Sequence, residues 1–334
     1  MDNQADERDS LIIDMLRADP TVLNTRIGQT LGVSNATVGA RIRKLKEAGV
    51  VRVVASTDIR AAGFEVFSIG SVEIAPGGPD TCHAVATELA RVPQIIAIGT
   101  QLHQEQIMFH MIGRDTSDIE RLLATTASSI DSIKAAHARV VLSNYKHSFN
   151  SGPIVEIKPD FEQRLRELTD TRLSELYAER ELSVLAMLHG DGRMSLREVA
   201  RRLDYPESQV RTIFRKFENT PGILNYQTIV NSRALGHRHV HQVYAKANYC
   251  LLPGIVKQLK TMPEVLGLAT MSGTMNLALS TTVQSRAELQ QLVSERIPAI
   301  DGIEEIEVVD MLRAYKFDGS WTLPVASEAE APAA

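Results

Sequence analysis

The sequence predicts an α+β chain in which one two-part unit occurs twice: three helices and a strand, then strand, helix, strand, strand, helix, strand. Three observations carry that expectation. The chain has 334 residues, about twice the usual size of a single domain. Its apolar positions, glycines and prolines recur in one order at a shift of about 170 residues. Within each copy the hydrophobic spacing changes from a period near 3.6 to a period of two.

The repeat is legible residue by residue. At a shift of 172, Leu16 falls on Leu188, Asp19 on Asp191, Ile27 on Val199, Leu31 on Leu203, Val38 on Val210, Ile42 on Phe214 and Leu45 on Phe217. A one-residue insertion then brings Gly49-Val50-Val51 onto Gly222-Ile223-Leu224 and Gly63 onto Gly236. Further on, a shift of 170 aligns Val92-Pro93 with Met262-Pro263, Ile130-Asp131 with Ile300-Asp301 and Tyr145-Lys146 with Tyr315-Lys316.

In the first part of copy one, Leu11, Ile12, Met15 and Leu16 recur at helical spacing. A short helix follows over 24–31, with Asn24 as its N-cap and Ile27 and Leu31 turned inward. Gly32-Val33 makes a tight turn, because glycine takes a left-handed conformation cheaply. Ser34 then caps a third helix whose inner stripe is Val38, Ile42 and Leu45, and Gly49 ends it. The β-branched run 50–54 reads as a strand, the expected wing.

In the second part, strands are expected at 65–74, 95–101, 106–112 and 133–142, with helices at 80–91 and 116–130. The second copy repeats them as strands at 239–247, 265–271, 276–282 and 303–312 and helices at 251–261 and 285–296. That order is a ferredoxin-like split βαβ unit, a four-stranded antiparallel sheet with helices on one face. The domain plan is a winged helix-turn-helix at 1–60, a ferredoxin-like domain at 61–147, a linker at 148–172, a second winged helix-turn-helix at 173–234, a second ferredoxin-like domain at 235–318 and a disordered tail at 319–334.

Composition narrows the function classes. With 44% hydrophobic and 23% charged residues the chain is globular in type, and no apolar run approaches the ~20 residues that span a bilayer. The polar start Met1 to Arg8 is not a secretory signal, and Cys82 and Cys250 form no CxxC pair, so a reducing cytoplasm is expected. No P-loop, GxSxG or dinucleotide GxGxxG motif is present, and no catalytic residue, metal or cofactor is expected. His237, His239 and His241 share one strand face, a spacing compatible with metal, but no nearby cysteine or clear carboxylate completes a ligand set. They are read as polar residues at the start of a strand.

Net charge is −5, yet the segment from Arg26 to Arg52 carries six basic residues and one acid, Glu47. A recognition helix buries one stripe and presents small polar and basic side chains to a major groove. Here Ser34, Asn35, Thr37, Arg41 and Lys44 are expected outward, with Arg43 and Lys46 also suited to bases or phosphates of double-stranded DNA. The second copy has Asp204-Tyr205-Pro206-Glu207-Ser208-Gln209 in place of the turn and helix start. Ser208, Gln209, Arg211, Thr212 and Arg215 are its corresponding candidates, while Glu207 places a carboxylate near the phosphates. This copy either reads different sequence or serves only to dimerise.

The stretches 31–38, 41–51, 176–182 and 192–203, with the split βαβ unit that follows, resemble the Lrp/AsnC family of bacterial and archaeal transcription regulators. The resemblance implies DNA binding, pairing through the βαββαβ domains, small-molecule effectors such as amino acids, and at least a dimer of chains. It makes this chain similar to a covalent pseudo-dimer of the family's usual one-unit subunit. The family's effector turn has a glycine followed shortly by an aspartate. By resemblance the candidates are Gly273, Thr274 and Asn276 in copy two and Gln101, His103 and Gln106 in copy one, with neutral side chains where the aspartate is usual. Two rival readings are a tetrapyrrole enzyme similar to the sirohaem decarboxylases, and a metabolite sensor that does not bind DNA.

Overall fold

The computed structural model describes residues 7–101, 105–146, 150–151, 160–231 and 239–323. In chain order the elements are α1 (Glu7–Ala18), α2 (Asn24–Leu31), α3 (Asn35–Glu47), β1 (Val51–Asp58), β2 (Val66–Ile74), α4 (Gly78–Ala90), β3 (Ile95–Gln101), β4 (Gln106–Gly113), α5 (Thr116–Ser129), β5 (Ile133–Lys146) and β6 (Asn150–Ser151). There follow α6 (Phe161–Thr169), α7 (Leu173–Leu176), α8 (Glu179–Gly190), α9 (Leu196–Leu203), α10 (Glu207–Glu218), β7 (Asn225–Asn231), β8 (His239–Ala247), α11 (Leu252–Thr261), β9 (Val265–Met271), β10 (Leu277–Val283), α12 (Arg286–Gln291), β11 (Ile303–Phe317) and β12 (Trp321–Thr322). Two compact units result, and each gathers like parts of both copies. One draws its described residues from 1–63, 158–235 and 318–322, the other from 64–157, 236–317 and 323–334.

The first unit holds both three-helix bundles. In α1 the buried residues are Ile12, Ile13 and Leu16, while Leu11, expected inward, is 49% exposed. Ile13 takes its place in the core stripe. Leu23, not Asn24, precedes α2 as the cap residue, because the Asn24 carboxamide oxygen accepts from Arg193 Nη2 at 2.8 Å. Gly32 ends α2 at φ 65°, and Ser34 caps α3 by accepting from the Thr37 N–H at 3.1 Å. In the second bundle Asp204 occupies the matching left-handed position at φ 55°, and α10 buries Val210, Ile213 and Phe217.

The strand expected as a wing is instead the seam of this unit. β1 pairs antiparallel with β7 from Val51↔Val230 to Ser56↔Asn225, through Val54↔Gln227. Val54 and Gln227 are equivalent positions of the repeat beyond the insertion, so a local two-fold axis passes through that pair. β12 adds to β1 in parallel at Thr57↔Trp321. Residues 320–322, expected in the tail, are therefore part of the fold: Trp321 is buried and stands edge-on to the His189 ring. The expected linker is likewise packed in its described part. Asp160 caps α6, whose buried Arg164 pairs with Asp318 at 2.7 Å and Glu167 at 2.8 Å.

His189 lies within the same core. The Thr57 hydroxyl donates to the Ile223 carbonyl at 2.8 Å, so its oxygen accepts from His189 Nε2 at 3.0 Å. That fixes the Nε2–H tautomer and leaves Nδ1 buried without a hydrogen-bond partner among the described residues. Burial, reinforced by Arg164, pushes the imidazole down to about 3.

The second unit is a closed barrel. Each copy forms a four-stranded sheet in ferredoxin-like order, β3-β4-β2-β5 and β9-β10-β8-β11, and the sheets join edge to edge as β11–β3 and β5–β9. Helix α4 packs Cys82, Val85 and Leu89 against Ile95, Ile98 and Phe109, and α11 packs Leu252, Ile255 and Leu259 against Val265, Leu277 and Leu279. β5 and β11 run to 146 and 317, beyond the expected 142 and 312, because their extra length pairs with the other copy. At those ends the ammonium of Lys146 donates to the carbonyls of Lys260 and Met262, and that of Lys316 to the carbonyl of Val92. Each lysine thus caps the helix C-terminus of the opposite copy, where a cation is favoured.

Two stability measurements follow. Among the described residues a methyl group at Gly32 meets open space, so Gly32→Ala acts through φ alone and costs about 1 kcal/mol in denaturant unfolding. Asp204→Gly relieves the same conformation and is neutral or stabilising. Because the folded pKa of His189 is depressed below 6.5, its contribution is complete above that pH and is lost as pH falls toward 3. His189→Gln, which keeps a donor for Thr57, flattens the acid side of the stability profile by up to ~1.4 kcal/mol per pH unit.

Candidate nucleic-acid interface and ligand platform

The outer face of α3 begins where its caps end. Ser34 spends its hydroxyl on the Thr37 N–H and faces the Thr37 hydroxyl at 2.8 Å, so both residues shape the helix start. Asn35, Arg43 and Lys44 are exposed, and no ion pair engages Arg43 or Lys44 among the described residues. Arg41, expected outward, is half-buried and pairs with Asp9 of α1 at 2.8 Å. The repeat carries the reason: the position matching Arg41 is Ile213, a buried residue of α10. Lys46 is exposed but turned to Asp191 of the α8–α9 loop. From the same loop Arg193 donates to the carbonyls of Pro20 and Val22 and to Asn24, tying the two bundles together. Nothing local in the sequence marks Arg193, because its partners are long-range.

On α10, Ser208, Arg211, Thr212 and Arg215 are exposed and Gln209 is half-buried. Arg211 Nη2 sits 2.5 Å from Glu207 Oε1, so the carboxylate that the sequence places near phosphates is already engaged by its neighbour one turn on. The Thr212 hydroxyl donates to the Ser208 carbonyl at 3.0 Å. Lys216 pairs with Glu181 at 2.8 Å and lies 4.6 Å from the Tyr177 ring centroid. Arg215 keeps an exposed guanidinium with no ion pair among the described residues. On α9, Arg201 and Arg202 both bind Glu198, whose carboxyl they hold down to about 2.

In the barrel unit the effector-turn candidates fall in unlike settings. Gly273 turns at φ 101° beside exposed Thr274. Asn276 is buried, accepting from the Ala247 N–H and donating to the Ala247 carbonyl, both at 2.8 Å. Its carboxamide clasps β8 to the turn, which commits it to structure. Gln101 Nε2 donates to Gln106 Oε1 at 2.9 Å, and His103 lies outside the described residues. Gln101 also forms the wall of an open groove of about 400 Å³ with Arg286, Leu289, Val293, Val308 and Asp310. Asp310 Oδ1 lies 2.6 Å from Nδ1 of His241. Of the histidine run, His237 is outside the described residues. A second cavity, about 150 Å³, lies against inner barrel residues such as Phe67, Met108, His110, Gln242 and Ser280. Burial pushes His110 down to about 4, so its ring is neutral there.

Known proteins resemble the chain in both units. Residues 69–150 and 251–321 match the Lrp/AsnC ligand binding domain, and residues 6–52 match a winged helix-turn-helix DNA-binding domain. An uncharacterised HTH-type transcriptional regulator of Pyrococcus horikoshii is 30% identical over 125 residues, covering 37% of this chain and 79% of that protein. The transcriptional regulator AzlB of Bacillus subtilis is 23% identical over 153 residues, 46% of this chain and 97% of that protein. Among solved structures, the siroheme decarboxylase NirDL superposes with a TM-score of 0.59 over 97% of this chain and 96% of its own, at 14% identity, a likeness of fold. No described helix is long and apolar enough to cross a membrane. The chain belongs to the Lrp/AsnC family of helix-turn-helix transcriptional regulators.

Proposed function

We propose that the chain regulates transcription by gripping double-stranded DNA with the helix pair α3 and α10, under the control of a small molecule held on the barrel unit. The observation that carries this reading is the face of α3, where Asn35, Arg43 and Lys44 stand exposed and the two cations have no protein partner among the described residues. Cations left unpaired on a recognition helix are available to phosphates, and an asparagine near its start suits a base edge. The shared β1–β7 seam supports it further, by setting both helix-turn-helices in one body about a local two-fold.

The test is affinity for the DNA upstream of the chain's own gene across a salt series. Arg43→Ala with Lys44→Ala weakens binding about 10- to 100-fold and lowers the slope of log affinity against log salt by roughly 2, one unit per lost phosphate contact. Arg41→Ala leaves that slope unchanged and acts on stability, since its partner is Asp9. Equal affinity and slope in the double variant overturn the assignment.

The effector belongs in the 400 Å³ groove. Arg286 suits a carboxylate, Asp310 an ammonium, and Leu289, Val293 and Val308 an apolar side chain, the features of a zwitterionic α-amino acid. This supplies the acidic partner that Gln106 and Asn276 lack. With leucine as the probe, Asp310→Asn raises the concentration needed to change DNA affinity at least tenfold while basal binding stays. An unchanged response rules the groove out. Further assembly of chains, which the family reading implies, runs over helical faces, because the barrel sheets have joined edge to edge. A cytoplasmic setting follows from the DNA partner.

The rival enzyme reading draws on the likeness to NirDL over nearly the full chain. Against it stands the inner cavity of about 150 Å³. Pockets for drug-sized ligands begin at roughly 300 Å³, and a tetrapyrrole is larger still.

A further inference from the structure

The two recognition helices are related by the axis through Val54 and Gln227, yet they offer different chemistry. The cationic ends match: Arg43-Lys44 falls on Arg215-Lys216. The positions nearer the helix starts do not. Asn35 falls on Glu207, Ala36 on Ser208, and Gly39, which has no side chain, on Arg211. In helix-turn-helix proteins the N-terminal residues of the recognition helix contact base edges, and operator palindromy mirrors the two-fold symmetry of the protein. We infer that this chain recognises an asymmetric duplex, reading two unlike half-sites with α3 and α10 and so binding DNA in one orientation. The inference rests on the DNA-binding reading above.

The side chains assign the difference. Asn35 is exposed and free to form the bidentate pair with adenine N6 and N7. On α10 the exposed Arg211 is held through Nε and Nη2 by Glu207 Oε1. That contact fixes the guanidinium on the outer face and leaves Nη1 and the remaining Nη2 proton to address guanine O6 and N7. Because α3 has glycine at this position, the guanine contact exists in one half-site only. Because both bundles belong to one chain and share one seam, the pairing of unlike helices is enforced in every molecule. A symmetric dimer bound to DNA is unchanged when the site is reversed. Here reversal exchanges an adenine reader for a guanine reader, and the two orientations differ in energy.

The experiment is selection of bound duplexes from a randomised pool with the full chain, followed by affinity measurements on the enriched site. The expected consensus has two unlike half-sites about one helical turn apart, with adenine contacted in one and guanine in the other. Replacing either half by the inverted copy of its partner weakens binding about tenfold or more. Arg211→Ala, checked for folding by its thermal midpoint, relaxes the guanine position and leaves the Asn35 half-site unchanged. A palindromic consensus, or a change under twofold when halves are swapped, overturns the inference while leaving DNA binding intact. No enrichment together with no salt-dependent binding overturns both.

Discussion

An open sheet edge carries unpaired N–H and C=O groups, and this constraint organises the whole chain. Each βαββαβ sheet ends at two such edges, and each helix-turn-helix ends in a strand that has no partner in its own copy among the described residues. The molecule meets all of these with itself: β3 takes β11, β5 takes β9, and β1 takes β7. A copy alone would expose three strands to aggregation or exchange. Joining the copies in one chain makes the completing partner intramolecular, at an effective concentration set by the connecting segment rather than by dilution. The halves of the repeat are therefore parts of two shared cores.

That sharing divides the residues into two groups with different freedom. At the two barrel corners where the copies join, the repeat stays matched. Tyr145 joins the core of the second copy and Tyr315 that of the first, and Lys146 and Lys316 exchange helix caps at the same two corners. The left-handed turn is held as Gly32 in one copy and Asp204 in the other, two residues that tolerate positive φ. Where a helix faces outward, matching is relaxed, as Asn35 and Glu207 show. Pairing the copies covalently removes the need for a surface to be self-complementary, so one partner can change without the other.

Local periodicity carried the elements well, since β3, β8 and β9 coincide with the strands read at 95–101, 239–247 and 265–271. What it missed was set by distant partners. The ends of β5 and β11 lengthen only because the opposite copy supplies the ladder. Asn24 lost its capping role to Arg193, which is 169 residues away in sequence. Arg41 looked outward on a helical wheel, although comparison with Ile213 would have turned it inward. Trp321, the one tryptophan of the chain, was itself a sign that the chain returns to a core. The effector turn was legible as a turn, but a sequence cannot show that Asn276 is consumed by the Ala247 backbone.

An acidic chain that grips DNA needs its positive charge placed rather than plentiful. On the second bundle several cations already face carboxylates: Arg201 and Arg202 share Glu198, Arg211 pairs with Glu207, and Lys216 with Glu181. Such exposed pairs add little to stability. Their effect is on the field, because a cation bound to a carboxylate releases fewer counterions when it approaches phosphate. Sequence-independent affinity scales with the number of phosphates neutralised. On the proposed DNA-binding reading, Arg43, Lys44 and Arg215 are the unpaired cations of α3 and α10 among the described residues, and that term is small. The balance of binding then falls on base contacts, whose donors and acceptors distinguish one sequence from another. A low count of free cations and a net charge of −5 thus favour discrimination over grip.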